Sequence, residues 1–378
     1  MIRLASLSKM FWVISIILMV AGCTSPSIKI GFAGEISGKN ATLGVRGRNG
    51  AALAVQQINA GGGIDGRKLE LVVEDGLGTP EGILAADQRL EAQGVIALTG
   101  HMTSKETSSV MPYLEEKGLI LFSPTTASPD FDQKEDHFFR LIPTNLRQSY
   151  TLAEVMFQDE GMKRAAVIYD VDNQSFSKTF TDGFGERFMA LGGSVTGVYS
   201  FSAAAVQNFL PMLEEIRLQN PDMILVAASP LNTSQIAQQL DLMDWHPRLA
   251  ASNWSYSDDL LILGGRTVEG IMIVTHFTPR CLSEAFIDFK QTYEAEFNQT
   301  VDFSSVLSYE TMLEFGRALD ECDGNYQRLK EVLSTPRQIY SLCDQVWMDE
   351  TGDVARSIYL INVRNGAFEV VKTIQPKP

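Results

Sequence analysis

Several things this chain has little of narrow what it can do. It carries four cysteines and four histidines in 378 residues. His101, His137, His246 and His276 are scattered, and Cys281, Cys322 and Cys343 lack the spacing of a zinc site. Basic residues are also few, with 31 Lys and Arg against 46 Asp and Glu and a formal net charge of −15. No basic cluster interrupts the acidic surface, which argues against nucleic acid as a partner and against adsorption to anionic lipid. Beyond one N-terminal run, no stretch of 18 or more apolar residues occurs, so nothing else is expected to span a bilayer. Phosphate-loop and nucleophile-elbow motifs are missing. Residues 61–66 (GGGIDG) are glycine-rich, but they follow a helical pattern and precede a strand, the reverse of a dinucleotide loop. No serine, histidine and acid form a pattern that names a nucleophile and its base. No catalytic residue, metal or other cofactor is expected, and the chain is not read as an enzyme.

The N-terminal run is informative. Arg3 and Lys9 precede apolar residues from Met10 to Val20, which end in Val20-Ala21-Gly22-Cys23. A basic start, a short apolar core and small residues at the cut point are the layout of a secretory signal. The run falls short of the roughly 20 apolar residues that a comfortable span needs. Residues 1–22 are read as a signal peptide, Cys23 as the lipidated residue, and 23–27 as a polar tether. Loss of Arg3 and Lys9 with the signal leaves a net charge of −17. Membrane association is then expected from acyl chains on Cys23, where two chains anchor stably and one is marginal. Three cysteines remain in an oxidising compartment. One disulfide and one buried thiol are expected, with the pairing open.

From residue 28 onward the chain alternates apolar strands with amphipathic helices. Residues 28–34 read as a buried strand. Ala51, Ala54, Val55 and Ile58 share one face of a helix over 50–60. Strands follow at 68–74, 94–99 and 119–123, with helices at 82–93 and 104–117 between them. The rhythm restarts after Pro143. Helices are expected at 149–160, 177–191, 206–219, 234–243, 284–297 and 305–319. Strands are expected at 164–169, 194–201, 222–228, 249–252, 270–275, 346–348 and 357–362. This alternation predicts an α/β fold of two Rossmann-like lobes with mostly parallel sheets and helices on both faces.

An ordered set of segments then resembles one family. IKIGFAGEISG (28–38), LGVRGRNGAALAVQQINAGGGIDGRKLELVVED (43–75), GVIALTGHMTS (94–104), GLILFSPTTASPD (118–130) and FFRLIPTN (138–145) lead. AVIYDVDNQSFSKTF (166–180), EGIMIVTHF (269–277), SYETM (308–312) and VWMDETGD (346–353) follow in order. Together they resemble the type I periplasmic binding proteins, in particular the Leu/Ile/Val-binding branch of ABC-transporter substrate-binding proteins. The ending at Cys23 resembles the lipobox of bacterial lipoproteins. The resemblance implies two lobes joined by three hinge crossings, lobe I over 28–143 and 275–353 and lobe II over 144–274 and 354–378. It implies a small amino acid, carboxylate or amide held in the interlobe cleft and delivered to the membrane permease of an ABC importer. The implied location is extracytoplasmic, lipid-anchored to a bacterial membrane. A sensory receptor of the same fold, signalling to a membrane kinase or chemoreceptor, is a second reading, and a cell-envelope enzyme a third.

Within this frame Thr103 and Glu106 have capping-box spacing, which places Ser104 in the first turn of a helix. Free backbone N–H groups and the helix dipole favour an anion there, and the resemblance gives Ser104 to a ligand carboxylate, with Thr103 beside it as a further ligand-binding candidate. The loop after the next strand carries Thr125, Thr126 and Ala127. Alanine stands where the family has an ammonium-binding threonine. Phe176 aligns with a family tyrosine, Ser229 with another cleft residue, Leu43 with an aromatic wall, and Asn253 with the acid that pairs with a ligand ammonium. These departures predict a small carboxylate or amide without an obligatory α-ammonium. An α-amino acid would need Glu35, Asp170 or Asp172 as its partner instead.

Overall fold

A computed structural model describes residues 26–38, 41–205, 208–278 and 281–376. The signal peptide, Cys23 and most of the tether lie outside the described residues.

The first lobe begins β1 (Ile28–Gly34), α1 (Ala41–Ala60), β2 (Leu69–Asp75), α2 (Pro80–Ala92), β3 (Ala97–Gly100), α3 (Ser104–Lys117), β4 (Leu121–Ser123) and β5 (Phe138–Arg140). Its strands are all parallel in the order β2-β1-β3-β4-β5. The second lobe runs α4 (Asn145–Glu154), β6 (Arg164–Asp170), α5 (Gln174–Ala190), β7 (Ser194–Phe201), α6 (Leu210–Leu218), β8 (Met223–Ala227), α7 (Pro230–Leu242), β9 (Arg248–Ala251), α8 (Asp258–Gly264) and β10 (Met272–Thr275). Its core order β10-β9-β8-β6-β7 mirrors the first lobe. Both sheets therefore reverse strand order beside their first strand, β1 or β6. In open α/β sheets the crevice beyond the strand C-termini at that reversal is where ligands bind.

The chain then returns to the first lobe with α9 (Glu284–Phe297), α10 (Phe303–Glu321) and α11 (Leu329–Leu333). A small antiparallel sheet follows, of β11 (Arg337–Ile339), β12 (Val346–Met348) and β13 (Val354–Ala355). It ends with β14 (Ile358–Arg364) and β15 (Ala367–Ile374), which extend the second sheet antiparallel from β10. Residues 357–362 were expected as a strand, but β15 was not. Its signal lies in Asn365-Gly366, where both φ angles are positive (52° and 70°), as a two-residue hairpin turn of the primed kind needs.

Helix α1 begins nine residues before the expected start. Periodicity misses this stretch because Gly44, Gly47 and Gly50 occupy it, and glycine is a poor helix former. Tertiary packing explains them. A methyl group at Gly50 would lie 2.1 Å from the Ser305 carbonyl oxygen of α10, and one at Gly44 would lie 2.0 Å from that of Glu35. The glycines let two backbones come closer to α1 than any side chain permits.

Three crossings join the lobes, after β5, after β10 and after β13. They are hydrogen-bonded to one another. Arg356 in the third donates to the Leu141 carbonyl of the first (3.2 Å), and His276 in the second donates from Nδ1 to the Ser357 carbonyl of the third (2.8 Å). The disulfide left open by the sequence is Cys281–Cys343, which ties the segment before α9 to the loop before β12. Cys322 is the buried thiol.

Candidate functional site

The loops at the strand C-termini converge on a cavity of about 790 Å³ between the lobes. That volume lies within the range of small-molecule sites. Lobe I supplies Glu35 after β1, Leu77 and Gly78 after β2, Thr103, Lys105 and Glu106 at the start of α3, and Thr42 and Leu43 from α1. Lobe II supplies Asp170, Asp172 and Asn173 after β6, Ala203 and Ala204 after β7, and Ser229 to Asn232 after β8. Trp254, Ser257 and Asp259 follow β9. A small pocket of about 20 Å³ lies beside it and shares Leu43, Thr103, Asn173, Trp254 and Phe303 with the main cavity. Ser104, Thr125, Phe176 and Asn253 line this inner pocket.

The capping box at α3 is present as the spacing predicts. Thr103 Oγ1 accepts from the Glu106 amide (3.2 Å), and Glu106 Oε2 accepts from the Thr103 amide (3.1 Å). Glu106 Oε1 also accepts from the Glu35 amide (2.9 Å), pinning the exit of β1 to α3. Burial raises the Glu106 pKa above the usual carboxylate range. Both its oxygens are committed to backbone, so it serves the scaffold. The Lys105 amide, in the first turn of α3, donates to Asn173 Oδ1 across the cleft (3.2 Å). Together with Ser108 and Ser175 (3.4 Å), it bridges the two lobes.

Ser104 Oγ and Asn253 Oδ1 are buried, at 2 % and 5 % exposure, and neither has a hydrogen-bond partner within the protein. Both line the inner pocket, Ser104 from lobe I and Asn253 from lobe II. An unpaired buried polar atom costs about 1–3 kcal/mol, so such atoms in one pocket mark a place for a ligand's own polar groups. Around them Phe176 packs edge-on to Trp254 at a 6.0 Å centroid distance, and Leu43 and Phe303 complete an apolar wall. Thr125 lines the same pocket while its hydroxyl donates to the Met102 carbonyl (2.8 Å).

Not every expected position reaches the cleft. Thr126 is fully buried, its hydroxyl bonded to Thr107 (2.7 Å), Ser123 (2.9 Å) and the His101 carbonyl (3.1 Å). Ala127 is likewise buried, and its carbonyl accepts from the Asn145 amide (2.8 Å) at the first crossing. Both sit behind the wall, because the loop turns inward after Thr125. Ser229 lines the main cavity as the N-cap of α7, accepting from the Asn232 amide (3.3 Å).

The acids set aside as alternative ammonium partners do line the cavity. Asp170 accepts from the amides of Asp172 (2.9 Å) and Ala203 (3.3 Å), and burial raises its pKa. Asp172 accepts from Ser202 Oγ (2.9 Å) and the Ala204 amide (2.9 Å). Lys105, Asn173, Trp254, Asp259 and Phe303 were not foreseen. Lys105 and Trp254 adjoin Ser104 and Asn253 in sequence, and that adjacency was the available signal.

A family model described as periplasmic binding protein matches residues 27–367. The chain belongs to that family. Among curated proteins it is 24 % identical over 261 residues to an amino acid binding protein of Pseudomonas aeruginosa, covering 68 % of this chain and 69 % of that one. Among solved structures it resembles a branched-chain amino acid transporter substrate binding protein of Streptococcus pneumoniae in complex with isoleucine. The TM-score is 0.85 at 22 % identity, over 93 % of this chain and 100 % of the other. A solute binding protein of an R. palustris ABC transporter in complex with 4-hydroxybenzoate gives a TM-score of 0.83 at 20 % identity, over 93 % and 98 %. These likenesses establish the type I fold of two lobes with mostly parallel sheets. Family members are binding proteins, and the family name points to an extracytoplasmic location.

Proposed function

We propose that this chain is the extracytoplasmic solute receptor of an ABC importer, binding an amino acid or similar small carboxylate or amide between its lobes. The observation that carries the reading is the pair of unpartnered buried atoms, Ser104 Oγ from lobe I and Asn253 Oδ1 from lobe II, in one pocket. A ligand that bonds both is held by both lobes, so its binding favours the closed arrangement, the hinge-closure transition of two-lobed receptors. Ser104 lies in the first turn of α3, where the positive end of the helix dipole favours the ligand's carboxylate or amide oxygen. The amino acid named for the Pseudomonas relative, and the isoleucine and 4-hydroxybenzoate in the structural neighbours, all carry a carboxylate and so suit such a seat.

In this reading lobe I is 28–143 with 275–353, and lobe II is 144–274 with 354–378. The protein works by binding rather than by turnover, and acyl chains on Cys23 keep it near the permease. The test is a thermal-shift panel of leucine, glutamate, benzoate and urea on the full chain in detergent, with native mass spectrometry for co-purified ligand. Stabilisation follows RT ln(1 + [L]/Kd). Stabilisation by one of the carboxylates or the amide, lost in Ser104→Ala, is expected. A panel without any Ser104-dependent shift, and no co-purified small molecule, would refute the assignment.

A further inference from the structure

The cavity outside the inner pocket has a composition of its own. Asp170, Asp172 and Asp259 bring three carboxylates to its lobe II wall, and Glu35 faces them from lobe I. Asp302 also lines it but is paired with Arg46 at 3.1 Å. Lys105 is the only cationic side chain lining the cavity among the described residues. The hydrogen bonds that Asp170 and Asp172 accept come from backbone amides and a serine hydroxyl, which are neutral and leave the negative charge in place. On the same wall Ser257, 7 % exposed, has a hydroxyl oxygen without any partner in the protein. It lies two residues from Asp259 at the start of α8. The same cavity is also lined by Leu43, Leu77, Leu231 and Leu263, drawn from both lobes.

Beside the oxygen seat at Ser104, the cleft thus offers aliphatic side chains and a surplus of carboxylates. We infer that it selects a ligand with a carboxylate or amide head, an alkyl middle and a cationic nitrogen at the far end, the class of basic amino acids and ω-amino acids. The inference rests on the solute-receptor reading above and adds the charge and length of the solute. A second carboxylate at the far end meets like charge there. A purely aliphatic ligand leaves Ser257 Oγ unpaired and Lys105 as the one cation lining a cavity with a surplus of acids. A distal ammonium or guanidinium donates to Ser257 and lies among Asp170, Asp172 and Asp259. Charged hydrogen bonds of that kind are the stronger ones.

Four probes of similar length separate the possibilities by calorimetric titration of the full chain in detergent. L-lysine carries both nitrogens, L-norleucine lacks the distal one, 6-aminohexanoate lacks the α-ammonium, and adipate replaces the distal ammonium by a carboxylate. Lysine is expected to bind at least tenfold tighter than norleucine, and 6-aminohexanoate at least tenfold tighter than adipate. Asp259→Asn should narrow the lysine-to-norleucine ratio, and higher salt should weaken lysine more than norleucine. Norleucine or adipate binding as tightly as its cationic counterpart, with Ser104→Ala still weakening it, overturns the inference and leaves the receptor reading standing. If neither these four probes nor leucine and benzoate show Ser104-dependent binding, both fail together.

Discussion

Arg356→Met should cost about 3–5 kcal/mol of folding stability, the range for breaking a buried ion pair by removing one partner. Arg356 is 2 % exposed and Glu310 fully buried, with Nη1 3.3 Å from Oε2. At an effective dielectric near 20, charges at that separation attract by about 5 kcal/mol. Desolvation of both ions offsets most of this gain, so the intact pair is worth little by itself. The loss comes from stranding buried charge, chiefly that of Glu310 and also that of Asp344, 3.6 Å from Arg356 Nη2. Without Arg356, Glu310 keeps Ser341 Oγ (2.9 Å) and the Leu342 amide (2.7 Å) but has no cation. Burial already raises the Glu310 pKa, against the lowering effect of Arg356. In the variant the folded state should therefore take up a proton more readily than the unfolded chain, and the deficit should shrink as pH falls. Urea denaturation followed by circular dichroism, at pH 7.5 and pH 5.5, measures both effects. Glu310→Gln should be destabilised similarly at pH 7.5, and the double variant by clearly less than the two together, with a coupling above about 2 kcal/mol. A loss below about 1 kcal/mol, or strict additivity, would show that the Arg356–Glu310 pair does not hold the crossings together.

His276 gives a second pH signal. Its Nδ1 faces a carbonyl, so the ring is neutral with its proton there, and burial, helped by the charges of Arg356 and Arg147, lowers its pKa to about 3. The unfolded chain then binds the extra proton first, and this residue's contribution is lost as pH falls below about 6.5, by about 1.4 kcal/mol per unit. His276→Asn keeps a donor for Ser357, and its stability relative to wild type should rise on acidification; a pH-independent difference would contradict this. Replacing Cys281 and Cys343 by serine opens a loop with a sequence separation of 62 and should cost about 4 kcal/mol by the chain-entropy relation, measured against the oxidised protein in urea. Thr126→Val should lower the melting temperature and leave ligand affinity unchanged, since its hydroxyl is spent within lobe I. Ser104→Ala should do the reverse, weakening the ligand by roughly tenfold with little effect on melting, because its hydroxyl has no protein partner to lose.

Much of the architecture was legible because strands buried on both faces read as short apolar runs and each is followed by a periodic helix. The strands at 194–201 and 346–348 and the helices at 104–117 and 284–297 have the expected bounds. What escaped had a local signal too weak or a tertiary cause. Helix α1 was cut short because its glycines answer to α10 and β1 rather than to helix propensity. The added strand β15, AFEVVKTI, has three polar residues among its eight and lies on the edge of its sheet, where no apolar run is required. For the site, motif position found the residues but not their exposure. Thr125 and Thr126 are adjacent and chemically alike, yet one lines the pocket and the other is consumed by three internal bonds.

By itself, then, the sequence determined the alternation of elements, the capped start of α3 and the poverty of metal-binding and catalytic patterns, all properties set by residues a few positions apart. Only the tertiary structure decided which cysteines pair and which carboxylates face one another across the cleft. It also decided which of two neighbouring threonines keeps a free approach to a ligand. Those depend on loops that leave different strands of two sheets and meet at one crevice, and neither their meeting nor its charge is encoded in any local stretch.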